Sequence, residues 1–162
     1  MSDAFLKIEG IDGESSDSKH KDWIEVLSYG WGVSQPTSAA STAGSATSAR
    51  ASFGDLSITK VLDKSSPKLF LACASGEHLK KVTLELCRAA GDDKAKYMEY
   101  LLEEVVVSNV SIGGSGNDLP AESITFNYGS IKQNYYKTDR ATGKEAGLAG
   151  SAGWSLTQNK KL

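Results

Sequence analysis

The residues that could perform acid–base or metal chemistry are few in this sequence. There are two histidines, His20 and His78, and two cysteines, Cys73 and Cys87, at widely separated positions. Zinc sites need three or four ligands at suitable spacing, and the chain has neither a Cys-x-x-Cys nor a His-x-x-x-His pair. Each histidine has a lysine close by, which is typical of a solvated turn, and each cysteine lies in an apolar segment. We predict exposed histidines, buried thiols without a disulfide, no metal site and no cofactor.

Two short motifs match catalytic patterns only in part. Ser65-Ser66-Pro67-Lys68 fits the Ser-x-x-Lys pattern of penicillin-binding enzymes, but the companion Ser-Asp-Asn and Lys-Thr-Gly motifs are absent. The glycine-rich residues 113–116 lead into a polar turn rather than into a helix whose N-terminus could hold a phosphate. The sequence therefore predicts no catalytic residue, and we expect that the protein is not an enzyme.

Length, charge and hydropathy exclude further classes. The chain has 162 residues, which is typical of one domain spanning residues 1–162. Lys and Arg number 18 against 20 Asp and Glu, so there is no basic excess to bind nucleic acid. No apolar run reaches the ~18 residues of a membrane span, and the N-terminus lacks the pattern of a signal peptide. We expect no membrane insertion and no export through a signal peptide.

Most of the chain has the alternating apolar pattern of β-strands. In residues 22–33 the bulky side chains Trp23, Leu27, Tyr29 and Trp31 alternate with small residues, which predicts a bulky face in the core and a small face close to another backbone. Residues 131–138 are predicted to be the hairpin partner of residues 123–128. The predicted strands are residues 4–9, 22–33, 53–59, 81–87, 95–112, 123–128, 131–138 and a short one at 154–156.

One helix is marked by its end residues. Ser66 is suited to cap it, Pro67 fits the first helical position, and Gly76 is placed to end it. Residues 69–74 between them are apolar nearly all the way round, so we expect this helix to lie on the sheet of the domain and under a second covering surface.

Two segments do not have the composition of a core. Residues 37–49 consist only of Ala, Ser, Thr and Gly, and residues 142–153 form a Gly- and Ala-rich connection. Without large side chains the first segment buries too little area to offset its ordering entropy. It is either a mobile hairpin loop or a loop that becomes ordered against a partner. From these features alone, a self-assembling structural protein and a β-sandwich that binds a small ligand or carbohydrate both remain open.

Three stretches of the sequence resemble one known family. They are residues 3–36, 57–78 and 122–131, which include the strings GESSDSKHKDWIEVLSYGWG, KVLDKSSPKL and ESITFNYGSI. Their order and spacing are similar to those of the Hcp family, the haemolysin-coregulated proteins of type VI secretion. The resemblance implies a mainly β fold, a small barrel of two antiparallel sheets with one flanking helix, like that of phage tail-tube proteins.

The resemblance also implies a function and partners. Family members form hexameric rings that stack into a tube inside a contractile sheath, on a baseplate and under a VgrG-type spike. The tube is assembled in the cytoplasm, is expelled to the exterior or a target cell without a signal peptide, and carries effector proteins in its lumen. The extended flexible loop, residues 37–50, corresponds to the one that reaches toward the next ring. We therefore predict ring-stacking contacts by Thr37, Ser38, Ala43, Gly44 and Arg50.

Overall fold

The computed structural model describes residues 2–36, 50–90 and 93–162. Eleven strands and one helix lie within this part of the chain. In chain order they are β1 (Ser2–Ile8), β2 (Ile24–Val26), β3 (Ser28–Gly30), β4 (Val33–Ser34), β5 (Ser52–Phe53), β6 (Leu56–Val61), α1 (Ser66–Ser75), β7 (His78–Ala90), β8 (Asp93–Gly113), β9 (Ala121–Thr138), β10 (Glu145–Ser155) and β11 (Lys160–Lys161).

Antiparallel pairing closes these strands into a barrel. The neighbours β1, β7, β8, β9 and β6 follow one another around the wall. The segment that contains β2 and β3 closes the ring, since β2 pairs with β1 and β3 pairs with β6. β10 and β11 extend the sheet beyond the second half of β9, and β4 with β5 forms a separate two-stranded sheet. The predicted mainly β fold with antiparallel sheets and one helix is confirmed.

The core fills the inside of this barrel. Alternate residues are buried along β2, β6 and the first half of β9, as expected when one face of a sheet is covered and the other is open. Each such aliphatic or aromatic side chain contributes about 1.5–3 kcal/mol through burial. Fully buried examples are Leu6 on β1, Ile58 on β6, Leu84 on β7, Leu102 on β8 and Phe126 on β9.

The face predicted for residues 22–33 is wrong. Ile24 and Val26 are buried, whereas Leu27 is 64% exposed and Tyr29 is 43% exposed. The cause is a change of partner at Leu27, whose backbone N–H donates to the carbonyl oxygen of Thr59 at 2.8 Å. β2 follows β1 up to that point and β3 follows β6 after it, so a single alternating face does not persist. Leu27 and Tyr29 are therefore exposed, whereas Trp31 is partly buried and packs against the core, as predicted.

Two predicted connections are strands instead. Residues 123–128 and 131–138 are parts of one strand, β9, and not a hairpin. Gly129 is favoured inside β9 because a Cβ there would lie 2.9 Å from Cβ of Glu104, whose backbone has a left-handed φ of 53°. Most of the Gly- and Ala-rich residues 142–153 belong to β10, which pairs with β9 through two register shifts. The glycines of β10 accommodate these register shifts. On residue propensity alone, a segment so rich in glycine is predicted to be a loop.

The helix lies where the sequence predicts, with its start one residue earlier. The N-cap is Ser65 and not Ser66 as predicted, and Ser66 is the first helical residue. The Ser66 hydroxyl contacts Glu122 and accepts from the N–H of Asp63. Gly76 ends the helix with φ 67°, as predicted. Leu69 and Ala72 are buried on the barrel, which confirms the inner contact, while Phe70 and Leu71 are 64% and 61% exposed.

Candidate functional site

A charged cluster is buried beside the start of the helix. We define the Lys60 cluster as Lys60, Asp63, Ser65, Ser66 and Glu122. The Nζ atom of Lys60 lies 3.0 Å from Oε1 of Glu122 and 3.0 Å from Oδ1 of Asp63, and it donates to the Ser66 hydroxyl at 3.2 Å. Lys60 and Glu122 are both fully buried. This cluster ties β6, β9 and the start of α1 together.

The cluster accounts for the motif that fits Ser-x-x-Lys. The Ser65 hydroxyl donates to Asp63, and the Ser66 hydroxyl donates to Glu122. Lys68, the lysine of the motif, is exposed. Both serines therefore bond to carboxylates, and the cation that contacts Ser66 is Lys60. Within the described residues, Oε2 of Glu122 is buried without a hydrogen-bond partner.

A second polar cluster surrounds His20. We define the His20 cluster as Asp17, His20, Glu85 and Cys87. His20 donates from Nδ1 to Asp17 at 2.7 Å and from Nε2 to Glu85 at 2.7 Å, and Sγ of Cys87 is 3.8 Å from Nε2. Burial lowers the pKa of His20, but its bonds to Cys87, Glu85 and Asp17 outweigh burial and raise the pKa to about 10. His20 is therefore a buried imidazolium.

The position predicted for His20 is wrong, because its side chain is only 3% exposed. Its ring stacks on Phe5 at 4.2 Å and meets the edge of Trp23 at 4.8 Å, which fixes its orientation. The turn that carries Asp17 and His20 is thereby pinned against β1 and β7. His78 is exposed, as predicted, and Cys73 and Cys87 are free thiols, of which Cys87 is buried and Cys73 partly exposed.

Lysines surround the His20 cluster on its outer side. Lys94 lies 3.1 Å from Oδ1 of Asp17 and 3.0 Å from Asp3. Lys96 lies 3.0 Å from Glu99 and 3.7 Å from Oε1 of Glu85. Next to the cluster is an open groove of about 420 Å³, lined by Trp23, Glu85, Glu99 and residues of β1 and β7.

The outer edge of β10 is the longest strand edge without a partner in the described part of the chain. β10 pairs with β9 on one side, and on the other side β11 reaches only Trp154 and Ser155. Residues 145–152 are all exposed, and Leu148 among them is 59% exposed. Residues 146–153 contain no charged residue and no proline, two of the features with which monomeric proteins protect their edges; a third, the β-bulge, is present as the two register shifts against β9.

Further apolar side chains are exposed away from β10. Within the described residues they lie on the segment from Leu27 to β4, on the outer face of α1, at the end of β8 and in the turn before β9. Those with more than half of their surface exposed are Leu27, Val33, Phe70, Leu71, Ile112 and Leu119. On α1 the two exposed side chains Phe70 and Leu71 are adjacent in the sequence, and apolar side chains that are exposed together can mark contact surfaces.

The predicted stacking residues fall mostly outside the described residues. Thr37, Ser38, Ala43 and Gly44 belong to the segment 37–49, which the structure does not describe. Arg50 is exposed and lines a groove of about 430 Å³ together with Val33, Phe53 and Trp154.

Sequence reasoning missed both buried clusters. Lys60, Asp63 and Ser66 recur at intervals of three residues, which is a weak signal of a shared site, but their partner Glu122 is 56 residues or more away. His20 and Glu85 are 65 residues apart. Spacing along the chain cannot predict such contacts, because these residues lie on separate strands and turns that meet only in the folded barrel.

Comparisons with known proteins agree with this architecture. Residues 5–135 match the family described as type VI secretion system effector, Hcp. The chain is 37% identical over 158 residues to protein hcp1 of Pseudomonas aeruginosa, covering 97% of this chain and 96% of that protein. A solved type six secretion system protein superposes with a TM-score of 0.92 at 36% identity over the full length of both chains. Hcp1 from Salmonella typhimurium gives 0.80 at 32% identity over 99% of each chain.

Proposed function

This chain belongs to the Hcp family of type VI secretion system proteins, and we propose that it is the structural subunit of a secreted tube built from stacked hexameric rings. The whole chain acts as one domain in this role. The observation that carries the proposal is the exposed edge of β10, which has neither charge nor proline over residues 146–153. An exposed strand without charge or proline is a template for pairing with another chain, so its persistence fits a protein whose edge is covered by a second copy.

The exposed apolar side chains support the same proposal. A ring needs two different surfaces on each subunit, since a head-to-tail contact joins unlike patches and closes when the rotation closes. The β10 edge is one surface. The segment around Leu27 and Val33, or the outer face of α1 at Phe70 and Leu71, supplies apolar area for others.

We assign the stacking of rings to residues 37–50. Thr37, Ser38, Ala43, Gly44 and Arg50 are proposed to contact the next ring, and Arg50 lies at the base of this segment beside Phe53. Deletion of residues 39–48 is expected to leave single rings intact and to prevent stacking, as seen by negative-stain imaging. Tubes of unchanged length in the deletion variant would contradict this assignment.

The remaining parts of the proposal follow the family. The tube assembles in the cytoplasm within a contractile sheath, on a baseplate and under a VgrG-type spike, and then leaves the cell with effector proteins in its lumen. It performs no catalysis and binds no nucleic acid, which is consistent with a net charge of −2. Within the described residues no helix has the length and apolarity of a membrane span.

The proposal is tested by the mass of the protein in solution. Size-exclusion chromatography with light scattering is expected to give a hexamer, with an open ring in negative stain. The double variant Leu148→Lys, Ala152→Lys places charge on the β10 edge and is expected to yield monomers with an unchanged circular dichroism spectrum. Its matched control, Ser115→Lys with Asn117→Lys, adds the same charge to an exposed turn and should remain hexameric.

Two results would overturn parts of the proposal. A wild-type protein that stays monomeric as its concentration is raised would contradict the ring. A charged β10 variant that still forms hexamers would retain the ring and exclude this edge as its interface.

A further inference from the structure

Three side chains that could bind a metal meet in the His20 cluster. They are His20 from the turn before β2, and Glu85 and Cys87 from one side of β7, with Leu86 between them in the core. One ligand atom from each of the three residues lies within 4.8 Å of the ligand atoms of the other two. The expectation of no metal site came from spacing along the chain, whereas these ligands meet only across the fold.

The chemistry of the three groups is specific. An imidazole, a thiolate and a carboxylate are together the ligand types of Zn²⁺, whereas Mg²⁺ and Ca²⁺ bind oxygen. Asp17 bonds the second ring nitrogen of His20, Nδ1, at 2.7 Å. Metal-bound histidines commonly donate this second N–H to a carboxylate, which holds Nε2 toward the metal. The cluster therefore contains both the ligands and the group that orients one of them.

We propose that His20, Glu85 and Cys87 bind one Zn²⁺ ion, with Asp17 as a positioning residue. Tetrahedral zinc with bonds of about 2.0–2.3 Å places its ligand atoms about 3.3–3.6 Å apart. The Nε2–Sγ distance of 3.8 Å is close to that spacing. The Nε2–Oε2 distance of 2.7 Å must open by about half an ångström, and the partly exposed Glu85 side chain has room to turn toward the groove.

Glu85 is the ligand that connects the cluster to solvent. It lines the groove of about 420 Å³ beside Trp23 and Glu99, whereas His20 and Cys87 are buried, so we place a water molecule as the fourth ligand on the Glu85 side of the ion. Lys96 pairs with Glu99 at 3.0 Å and lies 3.7 Å from Oε1 of Glu85, the carboxylate oxygen that is not bonded to His20. Three protein ligands and one water are the arrangement of an open zinc site.

Charge and protons balance in the binding step. The imidazolium of His20 loses its proton from Nε2 and Cys87 loses its proton from Sγ, so two protons pass to solvent as the Zn–N and Zn–S bonds form. The carboxylate of Glu85 binds without a proton change. The bound dication then replaces the imidazolium charge opposite Asp17 and Glu85, with Lys94 and Lys96 remaining on the outer carboxylate oxygens.

The test measures Zn²⁺ binding to the purified full chain after treatment with a chelator and its removal. Calorimetry is expected to give one Zn²⁺ per subunit for the wild type and for the control Cys73→Ser, which removes the other thiol. Cys87→Ser is expected to abolish this stoichiometric binding. Asp17→Asn keeps all ligands and is expected to weaken the affinity about 10–100-fold.

A second measurement does not depend on variants of the buried charges. Co²⁺ in the same site is expected to show a thiolate-to-cobalt charge-transfer band that is lost in Cys87→Ser and kept in Cys73→Ser. The proposal is overturned if the wild type binds no Zn²⁺ stoichiometrically, or if Cys87→Ser binds as well as the wild type. Because the cluster lies within one subunit, neither result depends on whether rings form.

Discussion

Lys60 and Phe70 are close in the sequence, yet their exposures are the reverse of what their side chains would favour. Lys60 is fully buried with Glu122, whereas Phe70 is 64% exposed on the helix that starts beside them. The buried charges lie at junctions between elements, where they hold a turn or a helix to the barrel wall. The exposed apolar groups lie on outer surfaces, where only another molecule can cover them. The buried charges thus stabilise the fold of the subunit. The exposed apolar side chains indicate where the subunit contacts other molecules.

The largest expected effect comes from removing the buried ammonium group of Lys60. Lys60→Met leaves the carboxylate of Glu122 buried without a partner charge, and we expect a loss of about 3–5 kcal/mol in the free energy of unfolding. The double variant Lys60→Met, Glu122→Leu removes both charges and should regain most of that loss. Urea unfolding at one protein concentration measures both. A single variant within 1 kcal/mol of the wild type would show that the pair does not hold the junction.

The two faces of the helix provide the next test. Leu69 is fully buried, so Leu69→Ala is expected to destabilise the subunit by about 2–5 kcal/mol through a lost contact and a cavity. Phe70→Ala on the exposed face should change the unfolding free energy by less than about 0.5 kcal/mol in a dissociated subunit. Thermal and urea unfolding compare the two variants. Equal losses would mean that Phe70 is covered within its own subunit.

The His20 cluster predicts a dependence on alkaline pH. Its folded pKa of about 10 lies above the ordinary value of 6.5. The stabilisation is therefore complete below pH 6.5 and is lost as the pH rises toward 10. A hydrogen bond between charged groups contributes about 1.5–3 kcal/mol, which sets the expected loss. Urea midpoints across this range, in buffer with a chelator, should fall more steeply for the wild type than for His20→Gln. Parallel pH profiles would exclude a buried imidazolium.

The smallest expected effect concerns the turn that carries His20. A Cβ on Gly13 would lie 2.5 Å from the carbonyl oxygen of Trp23 and 2.7 Å from Cα of Ile24. Gly13→Ala is expected to reduce the unfolding free energy by about 1–3 kcal/mol. Gly32→Ala is the matched control, since no atom lies within 4 Å of its added Cβ. If both variants have the same unfolding midpoint, the turn is not packed as closely as the structure indicates.

Strands and the helix were predicted well where a single local pattern, such as alternation or the residues at a helix end, determines the structure. Alternation identified β1, β6, β7 and most of β8, and the pair Pro67 and Gly76 bounded the helix to within a residue at each end. Prediction failed where a glycine had a packing role. Gly129 and the glycines of β10 were interpreted as turns because propensity does not distinguish a bulge from a loop.

The sequence by itself determined the fold class, the helix and the family, because these depend on periodicity, end residues and motif order along the chain. Only the tertiary structure decided that His20 is buried, that Lys60 meets Glu122, and that Leu27 and Tyr29 point outward. These outcomes depend on strand partners distant in sequence. The change of partner at Leu27 reverses a face, and the barrel brings β7 against the turn of His20. A charged side chain can be buried only where a partner of opposite charge lies next to it in the fold. The local sequence pattern does not show where that partner is.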